Sequence, residues 1–560
     1  MIWRYRLILI LLMLAFAAIL LRLFYWQVVR SSDLSLLGQT QYERSLQITP
    51  ERGDIKTSDN FPVVTNKISY LAFVNPKQIK DKKKTSIFLS SKLGVKEALV
   101  SSQLSLDKFW VPLKTGLSVK EKEEIENLNV PGVGLEETYT RFYPEASLSA
   151  HLLGFVGKDD LGKDKGYFGL EGYYDRLLRG KESIRTQIFD ALGRPILQET
   201  SSNIKNSKGN SLLLNIDRTV QFIVERHLKE GVEKYNASEG MVGVMDPKTG
   251  NILALASFPS FSPSNYRQYN EDLYRNPFIS NLYEPGSTFK PLIMSAALDG
   301  GVVAPQTKCN ICDKPVSIGG YELHTWNDKY YKNTNMVEVI QHSDNIGMVF
   351  VGQRLGIDKM LSYLGKFGIG SLTGIDLQGE VSQSVPQKNV WYAVDIATRA
   401  FGQGISITPI ELLVAFSSIA NKGTRMEPHV VNSVETQDGQ ILKIAPRESG
   451  RVISEKTAKV MTEILVNAVN KGEAAWVRLK GYRIAGKTGT ASIPIKGHYD
   501  PEKTVASFIG FAPADNPKFV MLVIFDKPTT SIYGSETAAP VFFKIAKEIL
   551  LYYGIPPAGE

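Results

Sequence analysis

At 560 residues the chain is long enough for two or three domains and at least one large core. Its 43% hydrophobic and 22% charged content is that of an ordinary globular protein, and a net charge of +8 with no basic cluster interleaved with aromatics argues against nucleic-acid binding. The two cysteines, Cys309 and Cys312, rule out a disulfide framework; Cys-Asn-Ile-Cys reads as a small loop staple or as two free thiols. Zinc takes about four ligands and only His324 and Asp313 stand nearby, so no metal is expected.

Residues 7–21 carry no charge, and Leu23-Phe24-Tyr25-Trp26 continues the apolar run past Arg22. With Arg22 snorkelling toward a headgroup, 7–29 is long enough to cross a bilayer, which takes about 20 residues. A cleaved signal peptide ending at Ala15-Phe16-Ala17 is the competing reading, and the apolar residues beyond that site favour an anchor. Residues 1–30 are therefore expected to be a cytoplasmic tip and transmembrane anchor, with the remainder outside the cytoplasm.

Residues 31–45 read as a polar helical stalk. Arg52-Gly53-Asp54-Ile55, the alternating stretch 68–74 and a solvated charge run over 77–84 follow. An exposed helix is predicted over 119–129, and the blocks 143–154 and 169–174 look like packing motifs, with His151 a satisfied structural histidine. A polar break at 201–210 marks the boundary between an elongated 31–206 domain and a 207–560 domain. The latter opens with a strand at 211–216, a helix at 219–234 and a hairpin over 241–256. Helices are predicted at 336–342, 345–355, 358–367 and 410–420, strands at 483–490, 504–511 and 518–526, and a closing helix at 541–552. Strands at both ends with helices between predict an α+β fold built on one antiparallel sheet whose outer strands come from distant sequence.

The chemistry centres on Glu284-Pro285-Gly286-Ser287-Thr288-Phe289-Lys290-Pro291. A serine and a lysine three apart lie one helical turn from each other on one face. Pro291 is tolerated only near a helix start, so Ser287 is expected at a helix N-terminus, where free N–H groups favour negative charge. A lysine can take a serine proton only if its own pKa is lowered, by burial or a second cation.

Similar tripeptides recur elsewhere, and context chooses between them. Ser105/Lys108 and Ser202/Lys205 lack the Pro-Gly lead and the long apolar helix that follows. Lys248-Thr249-Gly250 sits between two strand-like runs and reads as a hairpin turn. Ser343-Asp344-Asn345 falls at a joint between helices, where it reads either as a helix cap or as a proton relay (Ser343) beside an amide that holds Lys290 and a substrate peptide bond (Asn345). Lys487-Thr488-Gly489-Thr490 lies on a strand, with Lys487 and Gly489 on one face and Thr488 and Thr490 on the other. Lys487 supplies a positive charge that keeps Lys290 neutral; Thr488 and Thr490 are candidates for binding a carboxylate, and Gly489 admits a closely approaching backbone or ligand. A backbone N–H of this strand, paired with that of Ser287, makes an oxyanion hole.

Ser-x-x-Lys, Ser-Asp-Asn and Lys-Thr-Gly in this order, here at 287, 343 and 487, form the signature of penicillin-binding proteins and class A β-lactamases. Together with the anchor, Arg52-Gly53-Asp54-Ile55, Phe401-Gly402-Gln403-Gly404-Ile405 and Ser507-Phe508-Ile509-Gly510-Phe511, they make nearly the whole chain resemble a class B penicillin-binding protein. Tyr283-Glu284-Pro285-Gly286-Ser287 and Ala512-Pro513-Ala514-Asp515-Asn516-Pro517 make it most similar to the division-specific, FtsI-like branch. One departure is Lys56-Thr57-Ser58-Asp59-Asn60, where Asp-Arg-Asn-Gly is usual. The resemblance implies a pedestal domain over 31–206 and a β-lactamase-like transpeptidase domain over 207–560, in the inner or plasma membrane. It implies a D,D-transpeptidase acting on the D-Ala–D-Ala end of peptidoglycan stem peptides, acylated by β-lactams, without metal or cofactor. Ser287 is then the nucleophile, Lys290 the base, Ser343 and Asn345 relay and positioning groups, and Lys487, Thr488, Gly489 and Thr490 the carboxylate and oxyanion site. With no stretch before the pedestal for a glycosyltransferase, glycan polymerisation falls to a membrane partner of the SEDS type among other division proteins. A D,D-carboxypeptidase or β-lactamase using the same triad, and a β-lactam sensor or division scaffold, are the alternatives.

Overall fold

The computed structural model describes residues 2–48, 50–145, 149–160, 162–181, 183–188, 208–495 and 498–557. The boundary expected at 201–210 falls largely on 201–207, outside the described residues, as does the decoy pair Ser202/Lys205.

One compact unit comprises residues 1–51 and 180–208. Its helix Ile2–Phe24 runs on through a wider turn, Tyr25–Val29, and is long and apolar enough to cross a membrane once. A second helix, Ser31–Tyr42, starts beside an Arg30–Asp33 ion pair of 3.2 Å. The stalk helix was expected to reach residue 45, but Glu43–Ile48 is a strand, paired antiparallel with Ser183–Ile188. Leu46 and Ile48 alternate with polar neighbours, and that period of two takes over once a partner strand is present.

The other unit holds residues 52–179 and 209–560. One seven-stranded sheet runs through it, joining Ile55–Lys56, Pro62–Val74, Val111–Leu117 and Val133–Phe142 to Ser211–Leu214, Val431–Glu435 and Ile441–Lys443. Ile55–Lys56 lies parallel to Ser211–Leu214, so early and late chain share one hydrogen-bonded ladder. Leu89, Leu93, Val100, Leu104 and Ile125 form part of a separate small core. The unusual Lys56–Asn60 stretch still closes a turn: Thr57 N–H donates to Phe61 O at 2.9 Å, and Asn60 takes the left-handed conformation (φ 65°), which asparagine tolerates. The charge run over 77–84 is not wholly solvated, because Lys77 pairs with Asp107 and Asp81 caps the helix Lys82–Leu93.

A buried charge network ties down Arg52. Its guanidinium donates to Glu171 Oε2 at 2.6 Å and to Asp175 Oδ1 at 2.8 Å, and Arg141 donates to Glu171 Oε1 at 2.6 Å. Glu171→Gln leaves two buried guanidiniums facing a neutral amide. It is expected to cost about 3–5 kcal/mol, read as a lower urea midpoint with unchanged slope. His151 is buried, its Nε2 lies 2.9 Å from Leu273 O, and its ring meets Phe261 edge-on. Burial pushes its pKa down to about 4, which keeps it neutral and structural. Cys309 and Cys312 are joined in a disulfide, the staple of the two readings.

The 209–560 part contains a five-stranded antiparallel sheet. In chain order, helix α1 (Arg218–Tyr235) precedes strands β1 (Glu239–Met245) and β2 (Ile252–Phe258). Helices α2 (Lys290–Asp299), α3 (Met336–Gln341), α4 (Asn345–Phe367), α5 (Pro409–Ala420) and α6 (Glu455–Lys471) follow. Strands β3 (Ala485–Ile495), β4 (His498–Ala512) and β5 (Phe519–Asp526) and helix α7 (Ala538–Tyr552) complete it. The sheet order is β2-β1-β5-β4-β3, so its outer strands do come from opposite ends of the region. Central β5 reads Phe-Val-Met-Leu-Val-Ile-Phe because both faces are covered. Phe519, Met521, Val523 and Phe525 share a core with residues of α1 and α7; Val520, Leu522 and Ile524 belong to the larger core that includes α2 and α5. The two helices read at 345–355 and 358–367 form one run, α4, broken at Gly356 by a φ of 72°.

Candidate active site

The turn that carries Ser287 is held by glycine on both sides. Gly286 takes φ 55° and donates its N–H to Gly402 O at 3.0 Å; a Cβ on Gly402 would stand 2.2 Å from Gly286 O. Thr288 Oγ1 donates to Pro285 O at 2.7 Å, and Gly286–Phe289 winds as a tight turn before α2 begins at Lys290. Ser287 thus stands in the turn that leads into α2, with Lys290 three residues on and fully buried.

Lys290 Nζ meets the Ser-Asp-Asn corner. It lies 2.6 Å from Ser343 O, 2.8 Å from Asn345 Oδ1 and 3.2 Å from Ser343 Oγ. Ser343 bridges α3 and α4 in a left-handed conformation (φ 53°), and Asp344 caps α4 by accepting from Gly347 N–H at 3.0 Å. The cap and the lysine contacts coexist in one tripeptide. The other end of the Asn345 amide donates to His324 O at 3.0 Å.

The edge strand β3 closes the other side. A Cβ on Gly489 would lie 2.8 Å from Thr288 Cγ2 and 2.4 Å from Ser507 Oγ, so this strand packs directly on the Ser287 turn. The buried Lys487 side chain curls back so that its Nζ donates to Thr488 Oγ1 at 2.9 Å and Thr488 O at 3.2 Å. Thr488 Oγ1 in turn donates to Glu473 Oε2 at 2.6 Å. Thr490 Oγ1 accepts from Gly534 N–H at 3.1 Å. The three dispersed motifs therefore meet. The Ser105 decoy is an exposed helix end bonded to Ser101 O, and Lys248-Thr249-Gly250 is the β1–β2 turn, with Gly250 at φ 82°.

Burial, then the charge of Lys487, push Lys290 down to about 7, against the opposing pull of Glu473 and Asp344. Burial also lowers Lys487, with Glu473 opposing, and raises Asp344. A neutral amine has two N–H donors and one lone pair. Ser343 O and Asn345 Oδ1 only accept, so they occupy both donors and leave the lone pair for a hydroxyl. An amine so prepared, one turn from a serine at a helix start, is what covalent acyl transfer requires.

Three features escaped the sequence reading. Glu473 sits in Gly-Glu-Ala-Ala, which carries no motif. Ser507 Oγ is buried without a partner beside Gly489. Glu284, within the nucleophile motif itself, accepts from Gly404 N–H at 3.1 Å and Tyr499 Oη at 3.1 Å. Among the described residues no cluster of three or more His, Cys, Asp or Glu is placed to hold a metal.

Residues 240–549 match the family model of the penicillin-binding protein transpeptidase domain, and residues 47–214 match that of the penicillin-binding protein dimerisation domain. The chain belongs to the penicillin-binding protein transpeptidase family. It is 35% identical to stage V sporulation protein D of Bacillus subtilis, over 96% of this chain and 83% of that one. It is 29% identical to the peptidoglycan D,D-transpeptidase FtsI of Escherichia coli, over 99% and 92%. The fold is similar to that of a peptidoglycan synthetase from Bifidobacterium adolescentis, with TM-score 0.72 and 25% identity over 92% of this chain and 98% of that one.

Proposed function

We propose that the chain is a serine-type D,D-transpeptidase that crosslinks peptidoglycan stem peptides through an acyl-enzyme on Ser287 and is inhibited at that residue by β-lactams. The observation that carries this reading is the buried Lys290 amine, whose two donors are taken by Ser343 O and Asn345 Oδ1. Ser287 Oγ attacks the carbonyl of the penultimate D-Ala, and its proton passes to Lys290 Nζ. The peptide C–N bond then breaks, and the departing D-Ala nitrogen takes a proton from Lys290 through Ser343 Oγ. An amine of a second stem peptide attacks the ester, forms the crosslink and returns Ser287 to its hydroxyl. Asn345 positions the donor peptide; Lys487, Thr488, Gly489 and Thr490 form the carboxylate and oxyanion side. Thr490 Oγ1 accepts from Gly534 N–H and keeps its own hydrogen for the substrate carboxylate, while Thr488 keeps its bridge between Lys487 and Glu473. Each role rests on the match of motif to geometry, and no metal or cofactor takes part.

Residues 1–30 form a single anchor in the cytoplasmic membrane, 31–206 an extracytoplasmic pedestal, and 207–560 the transpeptidase domain. A SEDS-type glycosyltransferase and other division proteins are the partners that supply nascent glycan. The division-specific motifs favour septal wall synthesis, and the identity to a stage V sporulation protein supports wall synthesis during sporulation as a second reading of the process.

The test is the fate of the acyl group. Intact protein treated with penicillin is expected to hold one stable adduct by mass spectrometry, and a pentapeptide donor with a labelled amine acceptor to give crosslinked product. Rapid release of penicilloate identifies a β-lactamase, release of D-Ala with hydrolysis alone identifies a carboxypeptidase, and either outcome rejects the transpeptidase.

A further inference from the structure

Two buried lysines sit on the elements that meet at the Ser287 turn, and the reaction needs only one of them as its base. Lys290 approaches from α2 and Lys487 from β3, and both are almost fully enclosed. Glu473 follows directly on the Gly472 that ends α6. A Cβ on Gly472 would stand 2.4 Å from Ala468 O and 2.8 Å from Gln341 O, so its backbone is pressed against the end of α3, two residues before Ser343. Asn467 Nδ2, one turn earlier, donates to Gln341 Oε1 at 2.8 Å and pins α6 to the same point. From that fixed backbone the Glu473 carboxylate reaches Thr488 Oγ1 at 2.6 Å, and the same oxygen accepts from Lys487 Nζ at 2.9 Å. The hydroxyl is thus a one-atom bridge between an anion and an ammonium.

We infer that Glu473 is a positioning residue: through the Thr488 hydroxyl it holds the positive charge of the lysine pair on Lys487, and so leaves Lys290 as the amine that takes the Ser287 proton. This rests on the transpeptidase reading above. The charge-bearing groups facing the pair are Glu473 beyond the end of α6, Asp344 at the head of α4 with His342 near it, and the lysines themselves. Asp344 interacts with Lys290, whereas Glu473 interacts with both lysines and is hydrogen-bonded toward Lys487 alone. Removing the Glu473 charge destabilises the protonated form of each lysine. The group that must be neutral then loses its proton at lower pH, and so does the group that must stay charged.

The experiment is the pH dependence of acylation by a fluorescent penicillin, measured on the full-length protein and on Glu473→Gln and Glu473→Asp. Wild type is expected to give a bell whose acid limb reflects Lys290 and whose alkaline limb reflects Lys487. In Glu473→Gln the amide still accepts the Thr488 hydrogen bond without the charge, and the alkaline limb is expected to move about one pH unit toward acid, further than the acid limb, so that the bell narrows. Glu473→Asp keeps the charge and is expected to keep the limbs in place at a lower plateau. Glu473→Ser, a second neutral variant, must move the limbs as Gln does and serves if the amide impairs folding. A uniform loss of rate with unmoved limbs in both neutral variants overturns the inference and leaves the transpeptidase reading standing. Wild type that takes no label at all overturns both.

Discussion

Ser287→Ala is expected to abolish covalent labelling by a fluorescent penicillin, while Ser105→Ala and Ser202→Ala label as wild type does. The loss is complete because the labelled species is the ester itself, and the neighbouring hydroxyls of Thr288 and Ser343 are otherwise engaged. Thr288, the nearest rival in sequence, is buried with its hydroxyl committed to Pro285 O. Ser343 Oγ stands 3.2 Å from Lys290 Nζ, but its residue is held at φ 53° between two helices, with its carbonyl bound to the same amine. The substitution removes one oxygen from a turn whose shape is set by Gly286, Gly402 and Pro285, so an unchanged melting temperature is expected alongside the lost label. Labelling that survives in Ser287→Ala removes the assignment of the nucleophile.

Lys290→Gln is the second large effect. Removing a positioned general base lowers the acylation rate by about 10² to 10⁴ fold, and the glutamine side chain, one bond shorter, holds its two N–H donors back from Ser343 O and Asn345 Oδ1. The pH profile separates this from simple misfolding. In wild type the neutral amine is the active form and its proton is held up to about pH 7. The rate should therefore climb tenfold per pH unit below that point and level off above it, until Lys487 loses its proton and the alkaline limb of the bell begins. Lys290→Gln should lose that acid limb together with most of the rate. The same group affects stability with the matching sign. The unfolded lysine keeps its proton up to about pH 10, so the unfolded state binds more protons between about 7 and 10 and stability rises with pH across that window.

Much of this site could be read in the sequence, for identifiable reasons. Pro285-Gly286 before Ser287 and Pro291 after Lys290 are backbone constraints that only a turn entering a helix satisfies, and the structure has that turn. The hairpin at Lys248-Thr249-Gly250 was equally legible, because Asp246-Pro247 and Gly250 between apolar runs leave few other conformations. Glu473 was not legible: its importance comes from a neighbour fifteen residues on, across a helix-to-strand connection that no local pattern encodes. The Thr488 side chain was misjudged in a related way. Strand alternation correctly sets it opposite Lys487 at the backbone, but a four-carbon stem is long enough to cross back and meet it. The break within α4 was legible, by contrast, because Gly356 takes the positive φ that separates the two helices read at 345–355 and 358–367.

The parallel pairing of Ile55–Lys56 with Ser211–Leu214 bears on how the molecule can be divided. A fragment beginning near residue 211 would keep every catalytic group yet expose a bare strand margin where Ile55 and Lys56 belong, an invitation to self-association. A recombinant version trimmed just ahead of Glu43 avoids that exposure and keeps the strand that pairs with Ser183–Ile188. The unit that can be handled in solution is therefore larger than the unit that does the chemistry.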